Sequence, residues 1–321
     1  MADIRSQPDD GAKPEPLPQG TATKAVGFIG NPARSEADAE LRAVFMEAKA
    51  MTVRVGNDLA GWRDPDDDIG FAVNTVRKIE MASRVHFAGG CSLLFEDWLA
   101  YGAENHLKSL LDSYAHVAWI LARGGLTPPM TPSGRARCYE LGMVNALREE
   151  VGLLDTLNLK LLPGATPEKG PQQAYEMLLA QHLPADGCTC EGRGRGWWNA
   201  KRTLKEMSEV DAATRADGAE WMYLLWKYAG RVEHHAGFER MLRTDGQRIW
   251  IGPAEPWQRV RTLSCLVQTY SSIVGWVAEL YDPDVAKALT ASLSELMGRP
   301  AIHKAWATRP SPPAVEQPKA G

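Results

Sequence analysis

The sequence predicts an all-α fold: a single multi-helix bundle of about nine helices, residues 35–308, between disordered tails at 1–34 and 309–321. Three observations carry this. Apolar residues recur at the i, i+3, i+4, i+7 spacing of a helix face through most of the chain, while the strict alternation of a half-buried strand is nearly absent. Gly, Pro and Ser/Thr/Asp punctuation falls between these stretches. No period of 20 to 50 residues repeats, which argues against a solenoid.

The tails lack the means to fold. Pro8, Pro14, Pro16, Pro18 and Pro32 lie among Gly, Gln, Asp and Thr, and Pro310, Pro312, Pro313 and Pro318 repeat the pattern at the other end. Such segments cannot bury enough apolar surface to offset ordering. The remainder, with eleven tryptophans in a chain that is 44% hydrophobic, can form a sizeable core.

The elements follow in order. Ser35-Glu36 opens a helix that aligns Leu41, Val44, Phe45 and Ala48, and Trp62-Arg63-Asp64-Pro65 breaks it. Residues 69–87 carry Phe71, Val73, Val76, Ile79 and Met81, with Gly89-Gly90 as the expected end. A long third helix is expected from Cys91 to Arg123, stopped by Gly124-Gly125 and Pro128-Pro129. Thr131-Pro132 starts the next, through Leu141, Val144, Leu147 and Val151, because proline suits a first helical turn. Shorter helices are expected over 167–183 and 200–209, a longer one over 211–243, and two more over 255–281 and 283–298, divided by Asp282-Pro283. The glycine-rich 184–199 is the least regular segment.

Charge and cysteine content bound the function. With 36 basic and 40 acidic side chains the net charge is -4, so no global basic field gathers nucleic acid or anionic membrane. Thr262–Ala278 is the longest uncharged helical stretch, but Thr262, Ser264, Gln268, Thr269, Ser271 and Ser272 make it a bundle helix. No membrane span or secretion signal is expected. Five cysteines, three of them in expected helices, fit a reduced cytoplasmic protein; Cys188-Thr-Cys190 alone is a weak zinc signal.

Calcium and dimetal sites fit poorly. Asp64, Asp66 and Asp68 have the spacing that opens an EF-hand loop, but Ile69 stands where glycine is needed and Thr75 where a bidentate glutamate belongs. A dimetal bundle needs Glu-x-x-His, which the chain lacks; of the nearest substitutes, Glu104 and His106 point to different faces while His235 and Glu239 share one, and Glu96, Asp112, His116 and Glu220 could supply further ligands. Neither a metal nor another cofactor is expected.

The densest functional signal is Trp221–Arg240. At ~100° per residue, Trp221, Leu224, Leu225, Tyr228, Arg231, Val232, His235 and Glu239 share about a third of the circumference. Core-type and polar residues on one face suit a satisfied buried network or a binding site, and both readings are open. Met222, Tyr223, Trp226 and Met241 make the opposite side apolar, which places this helix at the bundle's centre. Arg231 and His235 are the candidate catalytic pair, an anion stabiliser and a proton shuttle, with Asp112, Trp198, Tyr228 and Glu239 as candidate ligand contacts. Glu104, Lys108, Asp112 and His116 recur every fourth residue, either as a solvated helix face or, with Asp112 turned inward, as a partner for Arg231 across the bundle. In the glycine-rich loop, Arg193 and Arg195 beside Trp197-Trp198, continued by Lys201 and Arg202, form the candidate nucleic-acid contact.

Leu110-Leu111-Asp112, then Trp198-Asn199-Ala200-Lys201-Arg202-Thr203-Leu204-Lys205-Glu206-Met207, then Tyr223 and Tyr228 leading to His234-His235 resemble an uncharacterised family of bacterial all-helical domains over about residues 90–243. That resemblance implies the fold. Arg231 and His235 also resemble the HEPN superfamily of helical bundles, many of which cleave RNA without metal through an Arg and a His on one helix. Three residues separate the pair here, where that pattern has four to six. The leading expectation is binding of a protein or small-molecule partner near Tyr228, Arg231 and His235; the alternative is a HEPN-like ribonuclease with RNA as substrate, and a metal-dependent helical-bundle enzyme is the third reading. A homodimer is a candidate assembly.

Overall fold

A computed structural model describes residues 36–60, 70–96, 100–121, 123, 131–162, 164–182, 200–214, 219–233, 242–244, 249–251 and 254–309. The expected tails, apart from Arg309, and the Asp64–Asp68 run lie outside the described residues.

The fold is all-α. Among the described residues ten helices follow one another: α1 Glu36–Ala60, α2 Gly70–Leu93, α3 Ala103–Ile120, α4 Pro132–Leu161, α5 Gly170–His182, α6 Ala200–Thr214, α7 Ala219–Glu233, α8 Pro256–Glu279, α9 Pro283–Met297 and α10 Pro300–Ala307. A short 3-10 turn, Ala100–Gly102, leads into α3. The strands β1 Leu242–Thr244 and β2 Ile249–Ile251 pair antiparallel with Arg243 opposite Trp250.

Starts with a capping residue and a first-turn proline fall where the sequence puts them. The Thr131 hydroxyl accepts from the Gly134 amide at 3.1 Å, with Pro132 opening α4. Asp282 accepts from the Asp284 amide at 2.9 Å ahead of α9. Each cap satisfies an N–H that the helix itself cannot.

Two expectations are corrected. Gly89-Gly90 does not end a helix: α2 runs through both to Leu93, and the long third helix is divided, its first residues closing α2 and the rest forming α3. The glycines serve helix packing instead. A Cβ on Gly89 would come within 2.8 Å of the His106 ring on α3, and one on Gly90 within 2.9 Å of Leu266 on α8, so only hydrogen lets three helices approach here. Second, the helix expected over 211–243 is replaced by the end of α6, then α7, then β1. Leu242–Thr244 and Ile249–Ile251 flank an Asp245-Gly246 pair and are rich in β-branched and aromatic residues, a hairpin pattern too short to register as periodicity. Beyond the helix expected to end near 298, α10 is a tenth helix that Pro300 starts.

The centre of the bundle is α3, not the tyrosine-rich helix. It touches α2, α4, α6, α7 and α8, and buries Leu107, Leu110, Leu111, Tyr114, Ala115, Val117, Ala118, Trp119 and Ile120. One continuous core joins these to Phe45, Phe87, Leu204, Met222, Leu263, Leu266 and Tyr270. Phe87 stacks on Tyr270 with centroids 4.7 Å apart. The end of α3 is closed by Arg135 of α4, whose guanidinium donates to the Trp119 carbonyl and lies over its ring, a cation at the negative pole of a helix. Burial brings Arg135 down to about 10.

Candidate functional site

The four-residue ladder on α3 does not form a solvated face. With neighbours all around, α3 turns most of it inward: Glu104 is 4% exposed and Lys108 is 9% exposed. Each side chain then requires a partner, because an unpaired buried charge is costly. Glu104 Oε1 accepts from Tyr228 Oη on α7 at 3.1 Å and from Arg261 Nη2 on α8 at 3.0 Å. The same Arg261 nitrogen donates to the Tyr228 hydroxyl, so three helices are tied through three side chains. Arg261 also lies over the rings of Tyr228 and Trp257, 4.7 and 5.4 Å from their centroids. Stacking on aromatic faces suits a weakly hydrated guanidinium.

One turn further along, Lys108 Nζ donates to both oxygens of Asp112, at 2.9 and 2.8 Å, and the Trp226 indole donates to Asp112 Oδ1 at 2.7 Å. Lys108 sits 4.4 Å from the Trp226 centroid. Asp112 thus turns toward α7, with Lys108 and Trp226 as its described partners, and a third of its side chain stays open to solvent. His116, next in the ladder, packs against Tyr139 of α4.

The geometry of α7 explains why its aromatics bridge to α3. Met222, Leu225 and Ala229 form its buried stripe, and Trp226 and Tyr228 lie on the two flanks of that stripe. The helix is not buried on both sides, as its composition suggests: Trp221 and Leu224 are 47% and 51% exposed, on the outward side next to Tyr228. Trp221 keeps its indole N–H occupied by Gln268 of α8 at 3.2 Å.

Arg231 belongs to the last turn of α7, but its side chain is not described; His235 and Glu239 lie outside the described residues. The described helix stops at Glu233, so the shared face expected for Arg231, His235 and Glu239 extends beyond it. Trp198, Arg193 and Arg195 also lie outside the described residues, as do Cys188 and Cys190. Lys201 is exposed in the first turn of α6, and Arg202 follows it there.

Sequence reading missed Arg261 and Trp257, which are four apart on α8 and so share a face. It also missed a second buried network, in which Tyr270 donates to Glu80 Oε1 at 2.8 Å and Arg84 pairs with Glu80 Oε2 at 3.0 Å. Glu80 and Arg84 have i, i+4 spacing, and that was the available signal. The Glu80 charge and burial push the Tyr270 phenol well up, burial being the larger cause. At the Gly89 crossing, His86 and His106 face each other with their Nδ1 atoms 3.3 Å apart, and desolvation lowers both below the ordinary 6.5. Glu104 and His106 do take different faces, one toward α7 and α8, the other toward α2.

The described thiols are unreactive. Cys91, Cys138 and Cys265 are free and buried, and desolvation pushes them up to about 12, 11 and 12. Among the described residues no group of three or more His, Cys, Asp or Glu could hold a metal ion, and no helix is long and apolar enough to cross a membrane. A cleft of about 390 Å³ between α1 and α9 is spanned by the Glu47–Arg299 ion pair and is also lined by Arg54 and Glu295, two charges of each sign in all. No family model, curated protein or solved structure matches the chain.

Proposed function

We propose that this protein is a non-catalytic binding module, taking a partner or small ligand on the outward side of α7 near Tyr228 and Arg231. One observation supports it above the others. Trp221 and Leu224 expose about half of their surface beside Tyr228, whose ring carries Arg261. An indole, an aliphatic group and a stacked guanidinium, its charge balanced by Glu104, offer apolar area with hydrogen-bond donors at one end. Such a surface suits a ligand with an apolar or aromatic body and an anionic or polar terminus. The Glu104–Tyr228–Arg261 tie holds that end in place on three helices, so little ordering is lost on binding.

The test is a thermal-shift and titration screen of aromatic carboxylates, phosphates and short peptides against the full chain and a Trp221→Ala, Leu224→Ala double variant. A compound that stabilises the wild type should lose its effect in the variant, which changes exposed side chains only. If every binder found retains its affinity in the variant, the assignment of this surface is wrong. RNA belongs in the same screen. Cleavage that disappears in His235→Ala with the fold intact replaces the binding reading with the ribonuclease one.

A further inference from the structure

From the exposed seam on α4, independently of the α7 surface, we infer that this protein pairs with a second copy of itself through an antiparallel α4–α4 contact.

Only the first half of α4 belongs to the bundle. Gly134, Arg135, Ala136, Cys138, Leu141, Gly142 and Asn145 are buried, and nothing after Asn145 is. The second half projects with α5 folded back along one side. Arg148 lies over the Tyr175 ring and donates to Gln172, and Asp155 accepts from the Glu168 amide, which fixes the side that α5 covers. At ~100° per residue, Arg148 and Asp155 point to within about 20° of each other.

The opposite side is apolar and open. Met143, Leu147, Leu154, Leu157 and Leu161, with Leu153 at the margin, are 46 to 73% exposed. With Glu150 included, the positions 143, 147, 150, 154, 157 and 161 are separated by 4, 3, 4, 3 and 4 residues. That is the a/d spacing of a coiled-coil seam, and all six fall within about 40° of one line along the helix. A solvated helix face has no need of this periodicity.

Three features select a second copy as the occupant. First, the spacing reads the same in both directions, so two antiparallel copies place Met143 opposite Leu161, Leu147 opposite Leu157 and Glu150 opposite Leu154, which keeps the two Glu150 carboxylates out of direct opposition. A parallel pair would set Glu150 against Glu150, two like charges in an apolar seam. Second, the flanking positions Val144, Ala146, Val151, Leu153 and Asn158 are uncharged, leaving Lys160 as the one ionic flank. Coiled-coil flanks that face water are normally charged. Third, the area is sufficient. At on the order of 100 Å² per apolar side chain, the five apolar seam residues together with Leu153 present about 600 Å², close to the ~800 Å² that each partner contributes to an ordinary interface once polar neighbours are counted. The geometry is also permissive, since Asn145, the last buried residue of α4, lies seven residues from the seam's midpoint. The two bundles then sit at opposite ends of the contact, ~20 Å apart along it, and the result is a closed, isologous pair.

The experiment is sedimentation equilibrium of the full chain across micromolar concentrations. A monomer–dimer equilibrium is expected. Leu154→Glu should weaken it ~100-fold, because the change acts twice per dimer, while Glu150→Leu should tighten it. Leu154 is exposed in the single chain, so the melting temperature of a dilute sample should hold; Leu157→Gln repeats the test with no charge added. Orientation is read by mild oxidation of the Met143→Cys, Leu161→Cys double variant followed by peptide mapping. A 143–161 linkage between chains supports the antiparallel contact; a 143–143 linkage overturns it. A chain that stays monomeric throughout, or a dimer indifferent to both leucine substitutions, overturns the inference altogether.

Discussion

Replacing Glu104 tests whether the α3–α7–α8 tie holds the bundle together. In Glu104→Ala, Arg261 loses the carboxylate at 3.0 Å and Tyr228 loses its acceptor at 3.1 Å. Removing one member of a fully buried ion pair costs about 3–5 kcal/mol, because the other charge stays behind unpaired. Arg261 keeps 27% of its side chain exposed, so water recovers part of that and the charge loss falls to about 2 kcal/mol. The orphaned Tyr228 hydroxyl adds about 1 kcal/mol. Urea unfolding followed by circular dichroism should therefore show a loss of about 3 kcal/mol, and heating a fall of roughly 6–12 °C for a domain of this size. Arg261→Ala combined with Glu104→Ala should cost less than the sum of the singles by about 1–3 kcal/mol. A single variant within about 0.5 kcal/mol of wild type, or a cycle that adds up without coupling, would refute the reasoning and leave the tie as surface decoration.

Other consequences are as direct. Gly90→Ala gains about 1 kcal/mol of helix propensity in α2, but pushes a methyl to within 2.9 Å of fully buried Leu266. Overpacking costs about 1–3 kcal/mol, so chemical denaturation should show net destabilisation or at best neutrality; a clear gain would mean that the Leu266 side chain yields without strain. Tyr270→Phe removes the donor to buried Glu80, and should cost about 1–3 kcal/mol in the same assay, with Arg84 still pairing the carboxylate. His86 and His106 both have folded values lowered by desolvation, so the unfolded chain takes up protons first as pH falls. Their contribution is neutral well above the ordinary 6.5, and stability declines as pH drops through 6.5 toward the folded values. Stability measured in steps between pH 8 and 5 should show that slope, and the His86→Ala, His106→Ala double variant should flatten it.

The fold was largely legible because its signals are local. Thr131-Pro132 and Asp282-Pro283 announce helix starts through bonds made within three residues, and they fall where read. Gly89-Gly90 misled because the same residue that ends an isolated helix also admits a neighbouring helix, and the neighbours, His106 and Leu266, are far away in sequence. The site was less legible for the same reason. Four-residue spacing put Glu104, Lys108 and Asp112 together, but whether such a row faces water or protein depends on which helices surround it. Tyr228 was singled out by its neighbours on one helix; Arg261, from a helix 33 residues later, was not.

The two exposed apolar surfaces differ in the kind of partner their chemistry demands. The seam on α4 is periodic, nearly free of charge and matched to its own reversal, so its best complement is an identical seam. Trp221 and Leu224 on α7 have no such repeat; they adjoin a guanidinium held between two aromatic rings. With no repeat to match its own reversal, that surface lacks the self-complementarity of the seam, and its exposed donors suit a polar partner. Because only the first half of α4 is buried in the bundle, seam and α7 surface share no side chain, and substitutions in one should leave the other's binding unchanged. If Leu154→Glu abolishes self-association and leaves ligand affinity at α7 intact, while Trp221→Ala with Leu224→Ala does the reverse, the protein is a pair of binding modules carried on one dimer. Loss of both activities in either variant would mean that the two surfaces form a single interface.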